Sequence, residues 1–444
     1  MFASSALEVS SLLEVTVSHD PSVFNTPGWR HLLGSHPQPH LFATPEWHRT
    51  WWDEFHPGKE LFVLTIEREG TPIAIVPLYR KVEDGRKVFR FVGGIDLTDY
   101  LGPICAPDDR ASTARTLVDW LVRTEISWDE FDAHNLPVPE GFADELIGET
   151  DRVGLEFRLD EEETAAVLRL PDSFEEYLSS LSSKERHELK RKRRRIARDH
   201  PDVNVRTATS ETLEADLKVF VDMHRGAEGH KGHFMKPEIA TFFERLAREF
   251  DASGWLRLDL LEVGGKAIAS TFAFEVGRVL YLYNSAYEPD FRSSSPGFIL
   301  VAELIEDAIG RGLKVFDFLR GPERYKYQLG SEAVPLYNVR ILAPDHPVFT
   351  TPNLIGPETW EAWVQERGLY FLGERDPRYV DLVEMEDSFE HNPGPKRGAL
   401  VEAPVGRGRW IFVGLGLWRQ VAAGTDGAYQ LLANLVSRGK LPGR

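Results

Sequence analysis

The chain has 444 residues, a formal net charge of −18 at pH 7, and 42% hydrophobic residues. This length predicts two or three domains of a soluble, acidic globular protein. No apolar run reaches about 18 residues, so no membrane span is predicted. The N-terminus has no basic segment before its apolar residues, so we expect no signal peptide. Cys105 is the single cysteine, which permits no intrachain disulfide and fits a reducing cytoplasm.

The first third of the chain alternates strand-like and helix-like segments. Thr44 and Pro45 are a typical N-cap and first residue of a helix, whose tryptophans we expect in a core or groove wall. Strand-like runs at 61–67 and 72–80 flank a glycine-containing loop and predict a hairpin. The other predicted elements are a strand from Leu12, a helix near 22–33, strands at 87–94, 99–106 and 128–136, and a helix at 112–124.

The same order of elements returns later in the chain. Residues 255–319 contain two strands around a Gly-Gly turn, a third strand, a helix and a last strand. We therefore predict two copies of one α/β unit. The first copy enters its helix through 106–110, where Asp108 and Asp109 suit a helix N-terminus but would repel a pyrophosphate. We assign cofactor binding to the second copy and a structural or substrate-wall role to the first.

A turn of small residues opens the helix of the second copy. Such a turn exposes backbone N–H groups and the positive end of the helix dipole, which suits a pyrophosphate. Gly297 lets the backbone approach a ligand closely. The alternative interpretation is an ordinary serine-capped helix. The candidate cofactor-binding residues are Arg292, Ser293, Ser294, Ser295, Gly297 and Phe298.

This segment resembles the acetyl-CoA-binding segment of GNAT acyltransferases. Arg292-x-x-Ser295-x-Gly297 stands where that family has (Q/R)-x-x-G-x-(G/A), with serine replacing the first glycine. The stretches SPG, FDFLRGPERYK and LSSKERHELKRKRRR resemble the CelD/BcsL (BioF2-like) acyltransferases, relatives of the FemAB transferases. The resemblance implies an α/β fold of two tandem GNAT-like units with mixed sheets, at 12–165 and 166–343. It also implies an acyl-CoA, with acetyl-CoA expected, as co-substrate, and no metal.

Acyl transfer to an amine needs a base, donors for the oxyanion and a proton for the thiolate. The end of the strand at 313–319 is a suitable place for these groups. Glu323 or His224 is the candidate base, Tyr325 the candidate proton donor, and Lys326 the candidate ligand of the oxyanion or of an acceptor carboxylate. Asp317, within the strand, completes the predicted catalytic set; the alternative is that it is a paired buried acid.

The polar stretch after that strand predicts that truncating Tyr325 or Lys326 leaves little cavity and spares stability. The resemblance places the H-R…K-G stretch in the family's active cleft. The predicted substrate residues are Arg225, Lys231, Gly232, Tyr283, Asn284 and Arg320. A metal site at His224, His230 and His233 is not predicted, because H-x5-H-x2-H is not a standard zinc spacing.

Residues 184–198 carry nine Lys or Arg residues and a sparse apolar stripe, which predicts a helix joining the two units. Three interpretations stay open: a solvated helix paired with acidic residues, a site for an anionic acceptor or a CoA phosphate, and nucleic-acid binding. The acidic net charge and the lack of interleaved aromatic residues argue against nucleic acid.

The character of the chain changes after Ala343, at a proline-rich linker. Residues 350–444 resemble the tail of glutamine-amidotransferase-like domains fused to other bacterial enzymes, including PIG-L-type deacetylases. This segment contains no cysteine, so thiol-dependent glutaminase chemistry is excluded. Residues 399–405 and 409–414 are expected to pair across a short glycine-containing loop. We predict a small α/β add-on for docking or oligomer contact.

Three functions follow from these observations. The first is an acyl-CoA-dependent N-acyltransferase that acts on a sugar, an amino acid or a cell-envelope or exopolysaccharide precursor. The second is a FemAB-like transferase that takes its group from aminoacyl-tRNA. The third is a non-catalytic assembly factor for polysaccharide biosynthesis.

Overall fold

The computed structural model describes most of the chain, with gaps concentrated near the C-terminus. The described residues are 13–35, 40–83, 85–124, 126–226, 234–343, 347–353, 355–360, 363, 371–373, 379–383, 385–386, 395–406 and 408–438. Two compact units are present, one of 1–121 and 126–342, the other of 122–125 and 343–444. Among the described helices, none combines the length and the hydropathy that crossing a bilayer requires.

The larger unit contains one series of elements twice. The first half consists of β1 (Leu13–Ser18), α1 (Pro27–Ser35), α2 (Pro45–Phe55), β2 (Lys59–Arg68), β3 (Thr71–Glu83), β4 (Arg86–Phe91), β5 (Ile104–Cys105), α3 (Arg110–Arg123), β6 (Glu130–Pro137), α4 (Phe142–Arg152) and β7 (Phe157–Arg169). The second half consists of β8 (Asn204–Thr207), α7 (Leu213–Arg225), α8 (Pro237–Ala252), β9 (Leu256–Val263), β10 (Lys266–Val276), β11 (Val279–Tyr287), α9 (Pro296–Gly310), β12 (Val315–Arg320), α10 (Arg324–Gln328) and β13 (Glu332–Leu342). Two further helices, α5 (Phe174–Ser180) and α6 (Ser183–Asp199), join the halves.

The two halves share one sheet rather than forming two. The strand order is β1-β2-β3-β4-β6-β13-β7-β12-β11-β10-β9-β8, with β5 on β3. The last strand of each half pairs with the other half: β7 lies against β12, and β13 lies against β6. The boundary expected between residues 165 and 166 falls inside β7.

Local sequence signals account for several of these elements. The hairpin at 61–80 is confirmed by the antiparallel pairing of β2 and β3. Thr44 caps α2 by accepting from the backbone N–H of Trp47. The helix expected near 22–33 is instead a 3₁₀ turn at Pro21–Asn25 followed by α1, because a residue before proline avoids the helical region and Thr26 is extended.

The strand expected at 99–106 is also shorter than predicted. Only Ile104 and Cys105 pair with β3. Gly102 has a φ of 154°, and Pro103 has no N–H to donate, so the ladder begins after them. Residues 99–101 are therefore free to leave the sheet, and the side chains of Asp99 and Tyr100 reach the second half.

Aromatic side chains from both halves form one core on one face of the sheet. Trp47 of α2 packs edge-on against Phe242 of α8, with ring centroids 5.6 Å apart. Trp47 is fully buried, and Trp51 and Trp52 are nearly so, which confirms their prediction as core residues. Burying an aromatic side chain stabilises a fold by about 1.5–3 kcal/mol, so α2 and α8 hold the halves together.

The other face of the second half is covered by α9 and by the joining helices. Leu189 and Ile196 of α6 lie in one apolar cluster with Leu300 and Leu304 of α9. The predicted helix at 184–198 is thus confirmed. Ser182 caps it, and Glu185 returns a hydrogen bond to the Ser182 N–H, a capping box.

The smaller unit is a short-stranded α/β element. Its described elements are α11 (Pro347–Thr350), a 3₁₀ turn (Pro357–Trp360), β14 (Val380–Asp381), β15 (Met385–Glu386), β16 (Pro395–Lys396), β17 (Leu400–Val405), β18 (Gly408–Val413), α12 (Leu417–Ala422) and α13 (Asp426–Ser437). The pairing expected between 399–405 and 409–414 is confirmed by β17 and β18.

A histidine lies between two carboxylates where the halves share strands. His134 on β6 places Nε2 2.7 Å from Asp132 Oδ2 and Nδ1 2.6 Å from Glu162 Oε1 on β7. Burial lowers the pKa of His134, but the hydrogen bonds and charges of Asp132 and Glu162 outweigh burial and raise that pKa above 6.5. The imidazolium therefore ties β6 to β7 across β13.

Replacing His134 with Gln tests this tie. A raised folded-state pKa contributes stability that is fully present below the unfolded pKa of about 6.5 and is lost as pH rises through the folded value. We expect the melting-temperature difference between the wild type and His134→Gln to be largest near pH 6 and to shrink above the raised pKa. The exposed His187, substituted in the same way, is the control. A difference that does not change with pH would contradict the charged tie.

Candidate functional site

The parallel strands β11 and β12 diverge at the centre of the second half. They pair at Val279–Val315, Leu280–Phe316 and Tyr281–Asp317, and no further pairs follow. β11 runs on to Tyr287, while β12 follows β7 on its other side. Because α9 crosses from the end of β11 back to the start of β12, its N-terminus lies at the end of the sheet where the gap opens.

The turn before α9 presents backbone groups at this gap. Ser295 is left-handed, with φ 54° and ψ 49°, and within the described residues its side chain makes no capping hydrogen bond. The N–H groups of the first helical turn have no acceptor within the helix. Gly297 is not in a positive-φ conformation; a Cβ there would lie 3.5 Å from the Tyr287 ring, an ordinary contact. The fold itself therefore does not require glycine at 297, and the role of Gly297 in ligand approach stays a prediction.

The remaining residues of the turn divide into inward and outward groups. Arg292 and Ser293 are exposed. Ser294 is buried, with Oγ 3.5 Å from His200 Nε2, so its side chain supports the turn from within. Phe298 is half-buried against the α9 cluster.

Tyr325 lies next to the gap between the diverging strands. It belongs to α10, just after β12, and the Ser285 side chain on β11 lowers the pKa of its hydroxyl slightly, against the larger effect of burial. Its ring packs edge-on near Phe318, on the α9 side of the sheet. Burial raises the pKa of Tyr325, and the Glu323 charge adds to that effect. Tyr325 is therefore a protonated hydroxyl at the gap at neutral pH.

His224 and Asn284 fix β11 beside that hydroxyl. Asn284 Oδ1 accepts from the Ser285 N–H at 2.7 Å and lies 3.0 Å from His224 Nε2. Because Oδ1 can only accept, His224 Nε2 carries the proton. His224 is 2% exposed and lies on α7. These two residues position the β11 backbone where the strands separate.

Asp317 faces the first half of the protein. Its carboxylate accepts from the Tyr100 hydroxyl at 2.9 and 3.0 Å and from the Leu319 N–H at 2.8 Å. Burial raises the pKa of Asp317 to about 7, against the lowering effect of those hydrogen bonds. A buried acid with this pKa is half deprotonated near neutral pH, which suits proton transfer.

Arg320 and Tyr283 also contact the first half. Arg320 Nε donates to Asp99 Oδ1 at 2.7 Å, and the Arg320 guanidinium also reaches Asn135 Oδ1 at 3.1 Å. The Tyr283 hydroxyl donates to the Leu97 carbonyl at 2.8 Å. Both predicted substrate residues thus have partners within the protein.

Lys326 is buried, although its polar stretch led us to expect that truncating it would leave little cavity. The residue is 3% exposed. Its ammonium group contacts the carbonyls of Leu319 and Gly321 at 3.3 and 3.2 Å and Glu323 Oε2 at 2.9 Å. The chain turns back over Lys326, and its ammonium group donates hydrogen bonds to carbonyl oxygens of that turn. The polar residues of this stretch thus surround a buried cation. Lys326 therefore holds the turn between β12 and α10.

The remaining predicted substrate residues lie in or beside a gap in the described chain. Arg225 is exposed and donates from Nε to the Met235 carbonyl at 3.3 Å. Lys231 and Gly232 lie outside the described residues, as do His230 and His233.

The basic helix α6 contacts the cofactor turn directly. Arg193 forms ion pairs with Glu303 and Glu306 of α9, at 3.1 and 2.7 Å. Lys192 Nζ lies 3.2 Å from Ser295 Oγ and 4.2 Å from the centroid of the Phe298 ring. The helix thus pairs in part with acidic residues, as one interpretation of the sequence held, and places one cation at the turn.

The equivalent helix entrance in the first half has the opposite charge. Asp108 and Asp109 lie in the 3₁₀ turn Pro107–Asp109 that leads into α3, and Asp109 pairs with Arg68 at 2.8 Å. Cys105 beside it is buried, and burial raises the pKa of its thiol to about 11. Such a thiol is a packing group rather than a nucleophile.

Sequence reasoning missed the residues that complete this site. Tyr100 and Asp99 contact β12 from more than 200 positions away, and the run around them resembles a plain strand. Ser285 follows the predicted Asn284, and the alternation of a strand indicates that the two point to opposite faces. Lys192 was one of nine cations with no local signal to distinguish it.

Comparisons with known proteins find a family model and solved structures that resemble this chain. Residues 183–327 match the family model described as an acetyltransferase (GNAT) domain. The crystal structure of FemX aligns with a TM-score of 0.53 at 11% identity, covering 76% of this chain and 99% of FemX, and so shares the fold. A tandem GNAT protein from the clavulanic acid biosynthesis pathway aligns at 11% identity over 76% of this chain and 100% of its own, with a TM-score of 0.41.

No curated protein matches the sequence. The GNAT match, together with the repeated element order, confirms the predicted α/β fold class with two GNAT-like units. The protein is an N-acyltransferase of the GNAT type, and an acyl-CoA is the co-substrate that such a domain implies.

The burial of Lys326 reverses the expected effect of its truncation. Lys326→Ala leaves several buried carbonyls without their donor, which costs roughly 3 kcal/mol of unfolding free energy. Lys314→Ala is the control, because Lys314 forms an exposed pair with Asp172 that is worth at most about 1 kcal/mol. Urea denaturation measures both. Equal, small losses in the two variants would show that Lys326 does not hold the turn.

Proposed function

We propose that the second half transfers an acyl group, with acetyl expected, from acyl-CoA to an amine or hydroxyl of a sugar, an amino acid or a cell-envelope or exopolysaccharide precursor. Within the GNAT class, the stretches SPG and FDFLRGPERYK support a CelD/BcsL-type enzyme. The observation that carries the proposal is the gap between β11 and β12, with the N-terminus of α9 at its open end and Tyr325 packed on the α9 side of the sheet.

The acyl carrier would enter at the α9 turn. Backbone N–H groups of the first helical turn and the helix dipole favour its phosphates. The thioester would then extend along the gap toward Ser285 and Tyr325, because β12 does not pair with β11 beyond Tyr281.

The reaction forms a C–N bond and breaks a C–S bond. The acceptor nitrogen attacks the thioester carbonyl carbon, and the tetrahedral intermediate collapses with loss of the CoA thiolate. Tyr325, kept protonated by its raised pKa, supplies the proton that the thiolate takes up. Asp317, with a pKa of about 7, takes the proton that the acceptor nitrogen loses.

The other candidates have positioning roles in this scheme. Glu323 is paired with Lys326, and Lys326 holds the turn that carries Tyr325. His224 acts through Asn284 on the β11 backbone. The Asp99–Arg320 ion pair anchors the end of β12 to the first half.

A second candidate donor is aminoacyl-tRNA. The exposed cations of α6, among them Lys190, Arg191 and Arg194, are the observation that favours it. Calorimetry with acetyl-CoA and with tRNA separates the two donors. We expect saturable binding of acetyl-CoA and no tRNA binding that survives physiological salt. Binding of tRNA alone, with a steep dependence on salt, would favour the second donor. Binding of neither would favour the non-catalytic assembly factor.

Replacing Tyr325 with Phe tests the proton donor. The ring and its contact with Phe318 remain, and only the hydroxyl is lost. Loss of a general acid lowers turnover by about 10²- to 10⁴-fold, with acetyl-CoA affinity retained. Tyr327→Phe on the same helix is the control and should keep its rate. If Tyr325→Phe keeps full activity with an amine that the wild type accepts, the Tyr325 hydroxyl is not the proton donor and the residue serves only in packing.

A further inference from the structure

Among the described residues of the first half, no helix corresponds to α6. It lies between the two repeated series of elements and packs on α9 through Leu189 and Ile196. The chain therefore places a strongly basic helix against the cofactor side of the second half, and the first half has no equivalent at α3.

Lys192 is held at the turn by three contacts. Nζ lies 3.2 Å from Ser295 Oγ, 4.2 Å from the centroid of the Phe298 ring and 4.0 Å from Glu188 Oε1. Its side chain is 17% exposed, so most of its aliphatic stem is covered. The ammonium group is consequently fixed beside the first turn of α9.

A cation at this position is unfavourable on its own. The N-terminus of a helix carries partial positive charge and attracts anions. The first turn of α9 contains no acidic residue, and the Ser295 side chain lies toward Lys192 instead of capping the helix. Arg292 precedes the same turn. Glu188 offsets part of this positive charge from 4.0 Å, and an anion bound at the turn would offset more of it.

In the first half, acidic side chains already complement the helix N-terminus, so no bound anion is needed there. Acidic residues at 108 and 109 complement the dipole of α3, and Arg68 pairs with Asp109. The two halves share the same order of elements, so the fold by itself does not require this difference in charge.

We infer that Lys192 binds a phosphate of the acyl carrier and makes the enzyme select CoA thioesters over pantetheine thioesters that lack phosphate. The inference rests on the proposed function, since it assigns a residue to that same donor site. The recognised chemistry is a pyrophosphate or phosphomonoester, both of which CoA carries.

The test is calorimetry on the full chain with acetyl-CoA and with S-acetylpantetheine, which lacks phosphate. Lys192→Met keeps an aliphatic stem over Phe298 and removes the charge. Lys190→Met makes the same change of net charge on an exposed residue of the same helix. We expect Lys192→Met to raise the Kd for acetyl-CoA roughly 10- to 100-fold, the effect of losing a hydrogen bond to a charged group, and to leave the Kd for S-acetylpantetheine unchanged.

Further outcomes distinguish this inference from the proposed function. Lys190→Met should bind acetyl-CoA like the wild type, and Lys192→Arg should bind it within a few-fold. Equal affinity of Lys192→Met and the wild type for acetyl-CoA would overturn the role of Lys192 while leaving acyl-CoA as donor. A wild type that binds neither thioester would overturn the proposed function itself.

Discussion

The exchange of the two terminal strands is the constraint on which the rest of this structure depends. β7 leaves the first half to pair with β12, and β13 leaves the second half to pair with β6, while β7 and β13 pair with each other. Buried backbone groups must be hydrogen-bonded, so neither half can close its own sheet. The duplicated chain consequently behaves as one folding unit with a shared core.

The same exchange explains the shape of the candidate site. Pairing with β7 draws β12 away from β11 after Asp317, and the left-handed conformation of Leu319 allows the register shift that follows. The gap that opens between β11 and β12 receives Tyr325 on the α9 side. On the opposite side of the sheet, Asp317 accepts a hydrogen bond from Tyr100 of the first half. The first half, whose own helix entrance is acidic, therefore contributes residues to the candidate site of the second half.

The sequence by itself determined the local structure and the duplication. Proline, glycine and N-cap positions act within a few residues, so the cap at Thr44, the hairpin at 61–80 and the helix after the 292–297 turn were predictable. The repeated order of strands and helices revealed two related units, since each element's hydrophobic period is a local property. The GNAT resemblance rested on such local motifs, and it lay in the half that the GNAT family model matches.

Tertiary structure alone decided which polar groups meet. The contacts Tyr100–Asp317, Asp99–Arg320 and Lys192–Ser295 join residues 103 to 221 positions apart, and no periodicity relates them. The burial of Lys326 follows from a turn that folds back over it, whereas composition alone indicated exposure. Strand exchange leaves no trace in hydrophobic pattern, because a strand buries the same faces whichever neighbour it pairs with. Local forces thus determined the elements, and long-range hydrogen bonds and charges determined the site.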